Sequence, residues 1–243
     1  MTSLRAILGS ANAGAKNLGR RPIISDRTNL VGEFFFGRDA ATSIINMANA
    51  SLPLSAPTAT YGARSATITG AGVYFETGIA DAQELTILAV GSFQNASSQI
   101  VGSYTATNAA DTCALLHPSG GFSGQVPASD GTAQGTATLS PYSPLTTVRA
   151  LALRTTGSAD FAIKVDQFRA GARLNGLSET KTGKTRKTSA QTFRIGAPAS
   201  GSTYVAEQSP SAVAIWHRSM TDAELLAAYQ DVFERFAEWG VAV

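Results

Sequence analysis

Hydrophobic residues in this chain come mostly in short runs, each closed by glycine, asparagine or serine. "LVGEFFFGRD" puts Val31, Phe34, Phe35 and Phe36 in a strand that stops at a Gly37-Arg38-Asp39 turn. "ATYGARSATITGAGVYFETG" alternates short apolar runs with glycine turns. "ELTILAVGSF", Glu84 to Phe93, predicts a strong strand, and "SQIVGSYTA" predicts another after a polar turn. "DTCALLHPSGGFSGQV" reads as strand, turn, strand. "LTTVRALALRTTG" alternates through Val148, Ala150 and Ala152, and "ADFAIKVDQF" through Phe161, Ile163 and Val165. Such alternation places every second side chain on one face of a sheet. Thr192 to Gly196 adds a short strand, whereas "TSIINMANAS" fits a strand, a short helix or a loop. Eight or more short strands without a βαβ rhythm predict an all-β fold, an antiparallel two-sheet jelly-roll sandwich.

The period changes near the C-terminus. Thr221 stands three residues before Glu224, the spacing of a capping box. Leu225, Tyr229, Val232, Phe236 and Trp239 then follow at spacings of four and three, with Leu226 and Phe233 widening the stripe. The first half of this amphipathic helix is expected against the sandwich edge. The aromatic second half, with Val232, Phe233, Phe236 and Trp239, either covers the core or meets a neighbouring subunit. At the other end, residues 1–29 are rich in Ala, Gly, Asn, Arg and Lys. Arg20, Arg21 and Arg27 give them a positive bias, which suits either a mobile leader or an arm that docks on a partner. The expected organisation is an arm at 1–29, a sandwich at 30–220 and a helix at 221–243.

Composition narrows the classes. Charged residues make up 15% of the chain, low for a globular surface. The polar surface must rely on hydroxyls and exposed backbone, as in a β protein of an assembly or an extracellular setting. A formal charge of +2 supplies no general field for nucleic acid. Cys113 is the single cysteine, which excludes an internal disulfide and a Cys-rich metal site. The N-terminal stretch makes a poor signal peptide, and no run reaches the length of a membrane span.

One join is more specific than the rest. Arg194-Ile195-Gly196 is followed by a loop, then by Ala214-Ile215-Trp216-His217-Arg218, then by Thr221-Asp222-Ala223-Glu224. This order resembles the C-terminal signature of the laminin-G-like, concanavalin A-like jelly-roll domains. In that family a final strand ends in an aromatic–polar–Arg turn that leads into a capped helix. "AGVYFETG", "ELTILAVGSF" and "TTVRALALRTTGSADFAIKVDQ" are similar to its earlier strands, so the resemblance spans roughly residues 30 to 230. Met220 and Leu225 flank the cap as a staple-like pair. Trp216 is expected as a core or edge aromatic and His217 as a turn residue. Ser211 stands where the family usually places an acidic residue, and Asp166 is followed by Gln167 rather than glycine. Both departures weaken a calcium or sugar function carried over from the family.

Catalytic chemistry finds little footing. Glycan-cleaving sandwiches use alternating carboxylates on one strand, and this chain has no such Glu-x-Asp-x-Glu triplet. His117 and His217 form no ligand-spaced pair, and Asp39 and Asp130 lie in no oxygen-rich loop, so neither metal nor cofactor is expected. Gly183-Lys184-Thr185 mimics the end of a phosphate-binding loop, but Ser178 occupies the position of the required earlier glycine. Lys181, Lys184, Arg186 and Lys187 fit a basic hairpin tip, either plain solvated surface or a contact for an acidic partner.

Two functions remain. The resemblance, the composition, the positive arm and the aromatic helix suit a non-enzymatic virion structural protein, a phage tail or head accessory subunit. Its partners would be copies of itself, with a trimer as one arrangement, and other virion proteins. The alternative is a carbohydrate-binding, lectin-like module, with Tyr104, Asn108, Phe122, Tyr142 and Tyr204 as rim or loop candidates for a glycan.

Overall fold

The structure, a computed structural model, describes residues 22–55, 57–93, 97–104, 106–118, 120–136, 138–140, 148–198 and 204–241, without the side chains of 106–108. Arg20, Arg21, Tyr142 and the side chain of Asn108 lie outside the described set. In chain order the elements begin with β1 (Leu30–Phe35), α1 (Ala40–Ser43), β2 (Thr60–Tyr61), β3 (Ala66–Thr67), β4 (Tyr74–Ala80) and β5 (Leu85–Ser92). β6 (Ser98–Gly102), a 3-10 helix at Ala106–Asp111, β7 (Ala114–His117), β8 (Ser123–Pro127) and β9 (Ala133–Gly135) follow. β10 (Arg149–Thr156), β11 (Ala162–Arg169), β12 (Ala172–Thr180), β13 (Thr192–Gly196), β14 (Ser209–Trp216) and α2 (Asp222–Glu238) complete the chain.

Two antiparallel six-stranded sheets stack face to face, as the alternating pattern predicts. The first runs β1-β14-β5-β10-β11-β12 and the second β4-β13-β6-β7-β8-β9. Their inner faces share one core that includes Phe34, Phe75, Ile87, Leu115, Leu151, Leu153, Ile163 and Val213. The first sheet is also covered on its outer face, where Leu88, Val90, Ala150, Ala152, Ala212 and Ala214 meet Leu225, Tyr229, Val232 and Phe236 of α2. Burial on both faces is why β5, β10 and β14 read as nearly continuous apolar runs. In β10 and β14 it is also why small alanines alternate with large residues: the large ones fill the inter-sheet core, and the alanines make room for a helix. The helix therefore lies across the outer face of the first sheet, not only at its edge.

Ion pairs fix where that helix begins. Arg154 on β10 and Asp166 on β11 are both fully buried and joined at 2.6 Å. Arg154 also donates to the Met220 carbonyl at 3.0 Å and reaches Asp222, the first residue of α2, at 2.6 Å. Arg173 on β12 closes the group from outside, on Asp166 at 2.5 Å and on Asp222 at 3.7 Å. Gly176, opposite Asp166, leaves space for this: a Cβ there would lie 2.1 Å from Arg173 Nη2. Thr221 and Glu224 form the predicted capping box.

The helix in turn holds the β11–β12 hairpin. Its turn places Ala170 at φ 51° and Gly171 at φ 77°. A left-handed alanine costs roughly 1–2 kcal/mol. The Gly171 N–H donates to the Tyr229 hydroxyl at 3.3 Å, and Gln230 Nε2 donates to the Gly171 carbonyl at 3.2 Å.

Residues 22–29, grouped with the arm by composition, are docked on the sandwich. Fully buried Glu33 accepts the N–H groups of Ile23 at 2.7 Å and Ile24 at 3.1 Å. Ser25 bonds Asp231 of α2 at 2.7 Å. Arg218, the arginine of the signature turn, pairs with Asp26 and with Glu224 and donates to the Thr28 carbonyl at 3.1 Å. One guanidinium thus ties arm, last strand and helix cap together.

Removing one partner of the buried pair leaves a charge without compensation. Asp166→Ala is expected to lower stability by about 3–5 kcal/mol, and Arg173→Ala, at the wet rim, by about 1 kcal/mol or less. Urea unfolding of both variants checks the contrast; equal losses would contradict it.

A second expectation concerns acid. Hydrogen bonds from the Thr221 backbone and hydroxyl, and then from Arg218, hold the Glu224 carboxyl at about 2, below its ordinary 4.5. The folded value lies below the unfolded one, so this contribution is present above pH 4.5 and is lost as pH falls through about 2. Stability measured by circular dichroism across that window should fall less steeply in Glu224→Gln than in the parent.

Candidate functional site

Helix and arm cover β1, β14, β5 and β10 of the first sheet while β12 stays exposed; on the second sheet, polar groups collect on the outer face and rim. Strand register sets Glu76, Arg194, Gly102, Ala114, Gln125 and Gly135 side by side across β4, β13, β6, β7, β8 and β9. One end of this row carries an ion pair and the middle is shallow. A Cβ on Gly102 would lie 2.3 Å from the Ala114 methyl, so no larger residue fits.

At the charged end, Arg194 Nε donates to Glu76 at 2.9 Å, and the Thr192 hydroxyl donates to the other Glu76 oxygen at 2.6 Å. The guanidinium lies 4.9 Å from the centre of the Tyr74 ring. Its Nη1 is buried and has no hydrogen-bond partner.

Beside it stands an aromatic pair. Tyr104, just after β6, and Tyr204, just before the Val205 bridge to Ser98, meet edge to face with ring centres 5.3 Å apart. Both are half-buried. Gln99 links this pair to the Arg194 strand: its Nε2 donates to the Gly196 carbonyl at 3.1 Å, and its Oε1 accepts the Tyr104 N–H at 3.0 Å. A bulge between Gln99 and Val101 makes this local arrangement, because it lets both Ile100 and Val101 enter the core. Burial, and then the neighbouring Tyr104, raise the Tyr204 phenol above its ordinary value of 10.0.

Of the five glycan candidates from the sequence, the structure brings Tyr104 and Tyr204 together. Phe122 is a correction: it is fully buried in the core, 4.5 Å from the His117 ring, and cannot serve a rim. Tyr142 and the Asn108 side chain lie outside the described residues. Sequence reasoning missed Tyr74, Glu76 and Gln99 and treated Arg194 only as part of a signature. The alternation of Tyr74 and Glu76 with core-facing Phe75 was the available signal.

Among the partner-binding and basic-hairpin residues, burial corrects Val232, Phe236 and Arg186. Val232 and Phe236 are buried against this chain's own first sheet. Phe233 and Trp239 are half-buried, the first against Gly171 and the second beside Phe35 and Phe236. Arg27 pairs with Glu33 at 2.7 Å and donates to the Met47 carbonyl at 2.8 Å. Arg186 is buried on Asp81 at 2.7 Å. Lys181 pairs with Glu179, Lys184 with Asp130 and Lys187 with Asp111. The Lys184 bond is the largest cause holding the Asp130 carboxyl near about 2. The segment is a set of local ion pairs in which Lys184 and Lys187 remain in contact with water.

Among the described residues, no group of three or more His, Cys, Asp or Glu could hold a metal ion. No described helix is long and apolar enough to cross a membrane. Cys113 is buried, and burial pushes its thiol well above the ordinary value.

No family model matches the chain, and no curated protein does. Solved structures do match. A Trypanosoma rangeli sialidase in complex with 2,3-difluoro-KDN superposes with a TM-score of 0.56 at 13% identity, over 84% of this chain and 33% of that one. The binding domain of Paraclostridial Mosquitocidal Protein 1 gives 0.58 at 11% identity, over 84% of this chain and 52% of that one. An HCR/D W1238A mutant gives 0.56 at 6% identity, over 87% and 53%. The chain therefore spans between a third and about half of these structures. At such identities the likeness is one of fold: a lectin-like antiparallel β-sandwich of the jelly-roll type.

The packing of the tyrosine pair has a measurable consequence. Tyr104→Ala opens Tyr204 to water, so its phenol should titrate closer to 10.0 than in the parent. Ultraviolet difference titration of the two proteins reads this directly; an unchanged curve would mean that Tyr104 does not shelter Tyr204.

Proposed function

We propose that this chain is a carbohydrate-binding module that works without catalysis. The observation that carries this reading is the Tyr104–Tyr204 pair at the rim of the second sheet, tied through Gln99 to the strand that carries Arg194 with its partners Tyr74 and Glu76. Saccharides present C–H faces that pack on aromatic rings and hydroxyls that need fixed donors and acceptors. The half-exposed rings supply the first requirement, and the Glu76–Arg194 pair and Gln125 supply the second.

The solved structures support a sugar ligand. One of the matching sialidase structures holds sialic acid, at a TM-score of 0.53 and 13% identity. This chain corresponds to a third of that protein, so sialidase activity does not carry over with the fold. Glu76 already accepts bonds from Arg194 and Thr192, which suits a binding carboxylate better than a general base. Within the sandwich class, the join from Arg194 to Glu224 favours the laminin-G-like branch. One of the supports of the virion reading was the aromatic stripe of α2 as a contact for neighbours, and most of that stripe lies on the chain's own sheet.

A broad glycan array followed by calorimetry tests this. Tyr104→Ala and Tyr204→Ala should each weaken binding at least about tenfold, as central aromatic contacts do, while the far-UV spectrum stays that of a sandwich. Parent protein that binds no glycan would overturn the reading, as would undiminished binding in both variants.

A further inference from the structure

Most described arginines face a carboxylate. Arg27 meets Glu33, Arg154 and Arg173 meet Asp166, Arg186 meets Asp81, Arg194 meets Glu76, Arg218 meets Asp26 and Glu224, and Arg235 meets Glu238. Arg38 and Arg64 differ. Among the described residues neither side chain has an ion pair or a hydrogen bond; Arg64 has only the Trp239 ring, 4.0 Å beneath its guanidinium.

The backbone forces these two cations into one place. Arg38 sits at φ 66° in the turn that ends β1, and its N–H donates to the Gly62 carbonyl at 2.6 Å. Gly37 packs so closely on the β2–β3 turn that a Cβ there would lie 2.8 Å from Arg64 Cα. Arg38 is exposed and Arg64 half-exposed. The nearby Asp39 carboxylate accepts the Thr42 N–H and hydroxyl, both at 2.7 Å. The Trp239 ring at the end of α2 favours a cation, which accounts for Arg64. It leaves Arg38 without a counter-ion beside a like charge. Burial and the Arg38 charge both push Arg64 below the ordinary arginine value.

We propose that Arg38 and Arg64 form an oxyanion site for a sulfate ester or carboxylate on an acidic saccharide. The close packing of the β1 end on the β2–β3 turn brings the two cations together, and guanidinium groups supply N–H donors that match such a group. The saccharide part rests on the function proposed above, and a segment that runs between the two regions supports it. The segment 205–209 joins the two regions: Ser98 bridges Val205, Ile68 bridges Gln208, Thr69 donates to Glu207 at 3.2 Å, and Thr67 meets Ser209 at 2.8 Å. That segment begins beside Tyr204 and ends on the hairpin that carries Arg64.

The experiment compares neutral dextran, dextran sulfate and oligogalacturonate fragments of equal length by calorimetry at fixed ionic strength. The acidic fragments should bind at least about tenfold more tightly than the neutral one, and whichever of the two binds better identifies the group. Arg38→Ala, which removes no ion pair or side-chain hydrogen bond among the described residues, and Arg64→Ala should each abolish most of that advantage. Lys184→Ala, which removes a paired surface cation, should change it less than about twofold. Titration with inorganic sulfate should alter indole emission in the parent and not in Trp239→Phe. Equal effects of Lys184→Ala and Arg38→Ala would reduce the site to general charge and overturn it. Binding to anionic vesicles without binding to acidic fragments would overturn it too. Neutral-glycan binding that depends on Tyr104, with no gain from acidic groups, would overturn the oxyanion site and leave the saccharide reading standing.

Discussion

The buried pair of Arg154 and Asp166 is the constraint on which the architecture turns. Taking two charges out of water costs several kcal/mol per ion, and mutual attraction repays this only with good geometry and further hydrogen bonds. Here the geometry is complete: Arg154 holds Asp166, Asp222 and the Met220 carbonyl at once. The pair adds little net stability over an apolar substitute, but it allows one position for the start of α2. Shifting the helix by a turn would strand both charges beneath it.

That single position determines what the rest of the molecule can offer a ligand. With α2 and residues 22–29 seated on the first sheet, its outer face becomes a second core, and Leu88, Val90 and the alanines between them lose all contact with water. Recognition is displaced to the second sheet and to the loops at the rim. The bulge in β6 then acts at short range, because it turns Gln99 away from the core and lets one amide join the Tyr104 loop to the Arg194 strand.

The sandwich and the helix were legible because their signals are periodic and local. Alternation marked β5, β10 and β11, and Thr221 with Glu224 marked the cap. The covering of the first sheet was less plain, although the Ala150 and Ala152 rhythm carried it: alanines opposite a helix and leucines opposite a sheet. The β11–β12 turn gave no warning, since Ala170-Gly171 lacks the Asn or Asp expected at positive φ. Its conformation is imposed from outside by Tyr229 and Gln230. Half of the aromatic site was legible as lone tyrosines. Their meeting was not, because exposure of one ring depends on a partner 100 residues away. Phe122 failed for the same reason: next to glycines it resembles a loop residue, and only the pairing of β7 with β8 carries it inward.

Charge economy explains the character of the surface. A chain with 15% charged residues has few ions to distribute, and this one places many in internal or local pairs, with Glu33, Arg154, Asp166 and Arg186 wholly inside. What remains outside is largely neutral: hydroxyls, amides, small residues and half-open rings. Such a surface discriminates poorly among charged macromolecules but well among hydroxyl-rich ones, whose recognition depends on shape and on fixed hydrogen bonds. Against that background a guanidinium without an ion pair stands out, since the Asp39 carboxylate beside Arg38 is engaged by Thr42. On the proposed reading, Arg38 and Arg64 would supply charge selectivity and the aromatic pair affinity for a sugar face.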